Sequence, residues 1–142
     1  MADIPNFDMK PVHVPDEVLE GLKKIPTATV YNAVRAFGGT LHVCEGLKTF
    51  TPGEKLAARA RTIRFLPPRA DLKAEKTSGE DAVEYVAMGR CGPGDVLVAD
   101  ISGDVRTVVA GDVKLLQLAM NNADGIVIDG AIRDLGVLED ED

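Results

Sequence analysis

Two cysteines and two histidines are all this 142-residue chain holds of the side chains that build soft or imidazole metal sites. Cys44 and Cys91 lie far apart, with no Cys-x-x-Cys or Cys/His spacing, so lone reduced thiols are expected. His13 and His42 stand alone and supply no histidine-based centre. No nucleophile motif supports a Ser-His-Asp or Cys-His arrangement. No apolar run reaches about eighteen residues, and no positively charged leader with an apolar core opens the chain, so a cytoplasmic protein with no membrane partner is expected. Basic residues are the minority: 16 Lys and Arg against 23 Asp and Glu give a net charge of −7. That balance argues against a nucleic-acid surface, though local charge still decides whether a small anion binds.

What remains is a soluble-type composition, 45% apolar and 27% charged, long enough for one domain with a real core. Met1 to Pro15 carries three prolines and little periodicity, and is expected as an extended arm. Residues 16–138 form the domain, and Glu139-Asp140-Glu141-Asp142 is a solvated acidic tail. Asp16 to Lys24 reads as a short helix. A second runs from Thr27, as its cap, through Phe37, stopped by Gly38-Gly39. Leu56 to Phe65 alternates like a strand and ends at Pro67-Pro68. Its cluster Arg59, Arg61, Arg64, Arg69 reads as a solvated face or subunit contact rather than an RNA site. Lys73 to Gly79 is expected as a mobile loop, and Glu80 to Gly89 as a helix with Val83, Val86 and Ala87 on one face. Pro93-Gly94-Asp95 turns into a strand from Val96 to Asp100. This order of elements makes an α/β chain.

The chemistry concentrates near the C-terminal end. Gly111-Asp112 is followed, twenty residues on, by Arg133-Asp134, with Asp129-Gly130-Ala131-Ile132 leading in. Val113 to Asn122 reads as a helix, Asn121-Asn122-Ala123-Asp124 as a turn, and Gly125 to Ile128 as a buried strand. A helix of about ten residues climbs roughly 15 Å. A strand of about five residues returns roughly 16 Å. If the strand packs back along the helix, Arg133-Asp134 meets Asp112 at the helix N-terminus. That end offers N–H donors, here the backbone of Val113 and Lys114, and a positive dipole to an anion. Arg133 adds a planar fork for a carboxylate. Two carboxylates, Asp112 and Asp134, would repel unless a cation relieves them, and oxygen-only ligands favour Mg²⁺ or Mn²⁺ over zinc. Spacing alone leaves a plainer alternative open: Asp112 caps a helix, and Arg133 pairs with Asp134 on the surface.

The stretch from Gly111-Asp112 to Arg133-Asp134, with Asp129-Gly130 before the arginine, resembles the RraA-like family, which includes class II pyruvate aldolases acting on 4-hydroxy-4-methyl-2-oxoglutarate. The resemblance extends to Ile25-Pro26-Thr27-Ala28-Thr29-Val30, to residues 60–72, to Pro93 through Asp100, and to Ser102-Gly103-Asp104-Val105-Arg106. It implies a layered β/β/α swivelling-domain fold, usually a homotrimer with sites at subunit interfaces. It also implies that Asp134 helps hold the metal, that Asp112 orients a water beside it, that Arg133 grips the pyruvyl substrate, and that the Val113 and Lys114 amides contact the substrate carboxylate. Lys114 stands where an apolar residue is expected; it reads as a solvated helix-face lysine, with a Schiff-base lysine as the alternative. Family members continue past the Arg-Asp pair, so the fold is expected to lack its last strands. The implied activity is a divalent-metal-dependent lyase that cleaves or decarboxylates a 2-oxo acid to pyruvate. The same family contains regulators that bind a ribonuclease, so a non-catalytic protein-binding role is the alternative.

Overall fold

The computed structural model describes residues 13–40, 42–67, 71, 79–134 and 136. Residues 1–12 of the expected arm, the acidic tail and all of the expected loop but Gly79 lie outside the described residues. Helix α1 spans Asp16–Lys23 and α2 spans Thr27–Ala36. Strand β1 (Arg59–Arg64) follows, then a 3₁₀ turn at Gly79–Asp81 and α3 (Val83–Gly89). The rest runs β2 (Asp95–Asp100), β3 (Val108–Ala110), α4 (Asp112–Met120), β4 (Gly125–Ile128) and β5 (Ala131–Ile132).

Two parallel sheets result, one ordered β1-β2-β4 and one pairing β3 with β5. Parallel neighbours need long crossovers, and the segments carrying α3 and α4 supply them. β2 is central. Val96, Leu97 and Ala99 are buried, so Val96-Leu97-Val98-Ala99 reads as a continuous apolar run rather than an alternation. Met88, Cys91, Leu97, Ala110 and Leu118 form one core cluster, which joins α3 and α4 to the central strand. Ala99, Ile101 and Val109 form a second, which joins β2 to β3. Met88 and Leu97 are fully buried, each worth about 1.5–3 kcal/mol of transfer free energy.

Several sequence expectations shift here. Thr27 is the first residue of α2, not its cap; Pro26 holds that place, because its fixed φ already suits a helix start. The strand expected from Leu56 begins at Arg59, where pairing with Asp95 becomes available. The expected helix 80–89 divides into a 3₁₀ turn and α3, and the buried residues are Ala82 and Met88, while Val83 and Val86 face outward. β4 is half-buried along its length rather than buried.

Arg59 is not part of a solvated face. Its guanidinium reaches Asp95 Oδ1 at 3.1 Å, Asp16 Oδ1 at 2.6 Å, and the carbonyls of Val14 and Pro93. Arg61 reaches the other oxygen of Asp95, also at 3.1 Å, and the Gly92 N–H donates to that same oxygen. Burial pushes the Asp95 carboxyl up, but Arg59, Arg61 and the Gly92 N–H outweigh it and hold the group below its ordinary value. The network ties α1 to the start of β1 and β2. Cys44 and Cys91 are both free thiols, as expected. Burial, followed by the charge of Asp95, pushes the Cys91 thiol up and keeps it protonated.

Candidate functional site

α4 begins one residue earlier than the pattern implied. Gly111 is its N-cap and Asp112 its first residue, with no side-chain cap on the helix. The first intrahelical bond runs from the Leu115 N–H to the Gly111 carbonyl. Helix geometry therefore leaves the N–H groups of Asp112, Val113 and Lys114 without intrahelical carbonyls. The Val113 N–H donates instead to Asp112 Oδ1 at 2.7 Å. An anion at this helix end competes with Asp112 for that donor.

Arg133 and Asp134 arrive at the same place. β4 pairs with β2, and its Ile126 and Ile128 pack on the core cluster that holds Leu118 of α4. The chain then turns at Asp129-Gly130 and adds β5, whose Ile132 pairs with Ala110 of β3. The Arg133 N–H extends that pairing, donating to the Ala110 carbonyl at 3.3 Å. Both side chains then lie over Gly111: a Cβ built there would stand 2.7 Å from Asp134 Oδ2 and 2.9 Å from Arg133 Nε. Arg133 Nε forms an ion pair with Asp134 Oδ2 at 3.1 Å, with the two side chains 70% and 41% exposed. Asp134 sits at φ +63°, a left-handed backbone that costs a non-glycine residue on the order of 1 kcal/mol and that aspartate tolerates better than most.

The turn before β5 is held by Asp129. Its carboxylate accepts the Ile101 N–H at 2.6 Å and the Gly103 N–H at 3.0 Å, which fastens the β2 exit loop to the connector. Gly130 lets that loop close, since a Cβ there would collide with Ile101. The Asp129-Gly130 pair stood out in the sequence, but its work as a clamp between the two sheets was not legible without the loop it grips. In the same loop, Arg106, through its guanidinium and its N–H, draws the Asp104 carboxyl down to about 2.

Lys114 is neither a solvated lysine nor a free nucleophile. Its ammonium donates to Glu84 Oε1 and to the Val109 carbonyl, both at 2.9 Å, and stands 5.3 Å from the centre of the Tyr85 ring. Burial pushes Glu84 up, yet the Lys114 ammonium and a backbone N–H bring it below its ordinary value. The side chain thus bolts α4 to α3 and to β3, on the side of α4 facing the body of the protein. A sequence scan sees a charge at an apolar position; only the fold supplies Glu84 as its partner.

Among the described residues, no group of three or more His, Cys, Asp or Glu could hold a metal ion. The carboxylates at the α4 end still fit one kind of cation. Asp112 Oδ2 and Asp134 Oδ1 have no hydrogen-bond partner among the described residues, while their other oxygens are engaged. Mg²⁺ keeps several waters and binds through one or two carboxylates plus substrate oxygens, which such a donor set suits. Zinc, with its preference for a closed nitrogen and sulfur shell, does not suit it.

A groove of about 500 Å³ runs from this end of α4 along its outer face, lined by Tyr85, Val113, Leu116, Gln117 and Met120. None of the helices among the described residues is long and apolar enough to cross a membrane.

Known proteins resemble this chain in sequence and fold. A protein of Halalkalibacterium halodurans named "Putative 4-hydroxy-4-methyl-2-oxoglutarate aldolase" is 29% identical over 113 residues, covering 80% of this chain and 47% of its own length. The crystal structure of Streptomyces coelicolor RraAS2, described as an unusual member of the RNase ES inhibitor RraA protein family, superposes with a TM-score of 0.73 at 28% identity. The match covers 92% of this chain and 61% of that one. A Pseudomonas syringae pv. tomato protein shares the fold at TM-score 0.70 and 23% identity, covering 92% of this chain and 56% of its own. The chain therefore spans about half the length of the H. halodurans relative. The family model described as RraA-like, Aldolase/RraA, matches residues 27–142. With parallel sheets, an α/β order and this match over most of its length, the chain belongs to the RraA-like family.

Proposed function

We propose that this chain carries the 2-oxo acid site of a divalent-metal-dependent lyase that releases pyruvate, as the name of the H. halodurans relative suggests. The observation that carries the reading is the meeting of Arg133 and Asp134 over Gly111, beside Asp112 at the α4 N-terminus. Two substrate types fit: 4-hydroxy-4-methyl-2-oxoglutarate, by retro-aldol cleavage, and oxaloacetate, by decarboxylation. In both the C3–C4 bond breaks and its electron pair stays on C3, giving a pyruvate enolate that then takes a proton; the C4 side leaves as a second pyruvate, its hydroxyl having given up a proton, or as CO₂. A cation of the Mg²⁺ or Mn²⁺ type, when bound, supplies Lewis-acid stabilisation of that enolate.

The chain's own groups do the rest. Arg133 turns from Asp134 to grip the 2-oxo carboxylate, and its 70% exposure leaves it free to do so. The N–H groups of Val113 and Lys114 hold the same carboxylate at the positive end of the helix. Asp134 offers its free oxygen to the cation. Asp112, released from the Val113 N–H, orients a water and passes its proton. Lys114 contributes its backbone, since its ammonium is committed to Glu84 and Val109. Assembly as a homotrimer belongs to the same reading. It is supported by the outward apolar row Val113, Leu116 and Met120, which are 62%, 57% and 75% exposed and start at the site.

Purified protein with Mg²⁺ is expected to release pyruvate from one of the two substrates, followed through a coupled dehydrogenase, and EDTA is expected to stop it. A folded protein that releases no pyruvate from either would overturn the reading. The likeness to RraAS2 favours a second one, a regulator that binds a ribonuclease without catalysis. Its mark is retention of a ribonuclease from lysate, with slowed RNA cleavage, by protein that is silent in the lyase assay.

A further inference from the structure

We propose that Gly111 is a positioning residue for the lyase site: the space its missing side chain leaves is the seat in which Arg133 and Asp134 rest against the α4 N-terminus. The inference rests on the proposed lyase reading and adds to it a residue that touches no substrate.

The backbone does not explain this glycine. Gly111 sits at φ −141° and ψ −170°, extended geometry that any residue adopts. Space explains it. An added Cβ would stand 2.7 Å from Asp134 Oδ2, 2.9 Å from Arg133 Nε and 3.0 Å from Arg133 Cγ. All three neighbours belong to the two residues that carry the proposed chemistry. Their backbones are held, Arg133 by its N–H on the Ala110 carbonyl and Asp134 at a left-handed φ of +63°, so the side chains are what must move. A methyl group at Gly111 therefore shifts the pair relative to Asp112 and the helix amides, while β3, β5 and α4 keep their places. Not every glycine is crowded in this way. Gly21, inside α1, has nothing within 4 Å of an added Cβ.

The test compares Gly111→Ala with Gly21→Ala. The Arg133 Nε–H resonance, assigned by its loss in Arg133→Lys, is expected to move in Gly111→Ala and to stay in Gly21→Ala. Pyruvate release with Mg²⁺ is expected to fall about 100-fold in kcat in Gly111→Ala, the scale of a misplaced reacting group. Gly21→Ala is expected to stay within about twofold of the parent. An unmoved resonance, or unchanged kcat in an active parent, overturns the proposal. A parent that releases no pyruvate fails the lyase reading, and the resonance then decides the positioning role alone. If Gly111→Ala melts early, the same substitution is made in an Arg133→Ala/Asp134→Ala background. A clash with those two side chains predicts that most of the fall in unfolding midpoint disappears there. An equal fall in both backgrounds overturns the proposal.

Discussion

The backbone N–H of Arg133 donates to the carbonyl of Ala110 at 3.3 Å, and this extension of the β3–β5 pairing brings the two ends of the site together. It places a guanidinium and a carboxylate from the end of one parallel strand at the start of the helix that leaves the other. Strand ends next to helix N-termini are where α/β folds bind anions, because helix N–H groups and dipole face the crevice there. Arg133, Asp134 and Asp112 are exposed enough to meet a ligand, while the strands below them are fixed by the core.

Arg133→Ala is expected to lower kcat/KM for pyruvate release at least about 100-fold, through lost grip on the substrate carboxylate. The side chain is 70% exposed, and among the described residues its ion pair is the exposed one with Asp134. Stability should therefore change by no more than about 0.5 kcal/mol. Chemical denaturation beside steady-state kinetics separates the two effects. Unchanged kinetics would exclude the assigned role.

Asp134→Asn isolates the charge. Asparagine tolerates the φ of +63° as well as aspartate does, so the backbone is preserved. Mn²⁺ affinity, read by electron paramagnetic resonance, is expected to drop at least about tenfold, since the substitution removes an anionic oxygen ligand. Equal affinity in both proteins would take Asp134 out of the metal role.

Lys114→Met tests stability and mechanism at once. The parent ammonium bonds Glu84 and the Val109 carbonyl, so its removal strands a partly buried carboxylate and a carbonyl. A loss of about 1–3 kcal/mol is expected. Borohydride added during turnover should leave the parent protein's mass unchanged, because the committed amine forms no Schiff base. A trapped pyruvyl adduct on Lys114 would refute this assignment.

Acid lability should follow from Asp95. Burial alone would raise its pKa, but Arg59, Arg61 and the Gly92 N–H bring the folded value below the ordinary 3.8. The unfolded chain thus binds the proton first as pH falls. The contribution of Asp95 to stability is complete above the ordinary carboxyl range and is lost as pH drops through the folded value. The melting temperature is expected to fall between about pH 5 and pH 3, and Asp95→Asn, less stable at neutral pH, should flatten that fall. A parallel pair of pH profiles would show that another group governs the transition.

How much of this was written in the chain can be judged residue by residue. The helices at Asp16 and Thr27, the central strand and the α4–β4 unit were legible, because hydrophobic period and turn residues act locally. The motif Gly111-Asp112 to Arg133-Asp134 was legible as well, and the family likeness with it. Three-residue β3 and two-residue β5 were not, since strands that short carry no period. Nor were the carboxylate partners of Arg59 and Lys114, which lie thirty or more residues away: Asp95 at 36 and Glu84 at 30.

The sequence by itself thus determined which residues could act, and at which helix end an anion would be welcome, because donors, charges and helix periodicity are local properties. The tertiary structure decided how those residues meet. β4 leaves for the β1-β2 sheet, Asp129 clamps the turn, and β5 returns beside β3 to lay Arg133 and Asp134 over Gly111. Strand pairing is a non-local choice, made where Leu97 is buried with Met88, Ala110 and Leu118, and Ala99 with Val109, residues that separate elements contribute.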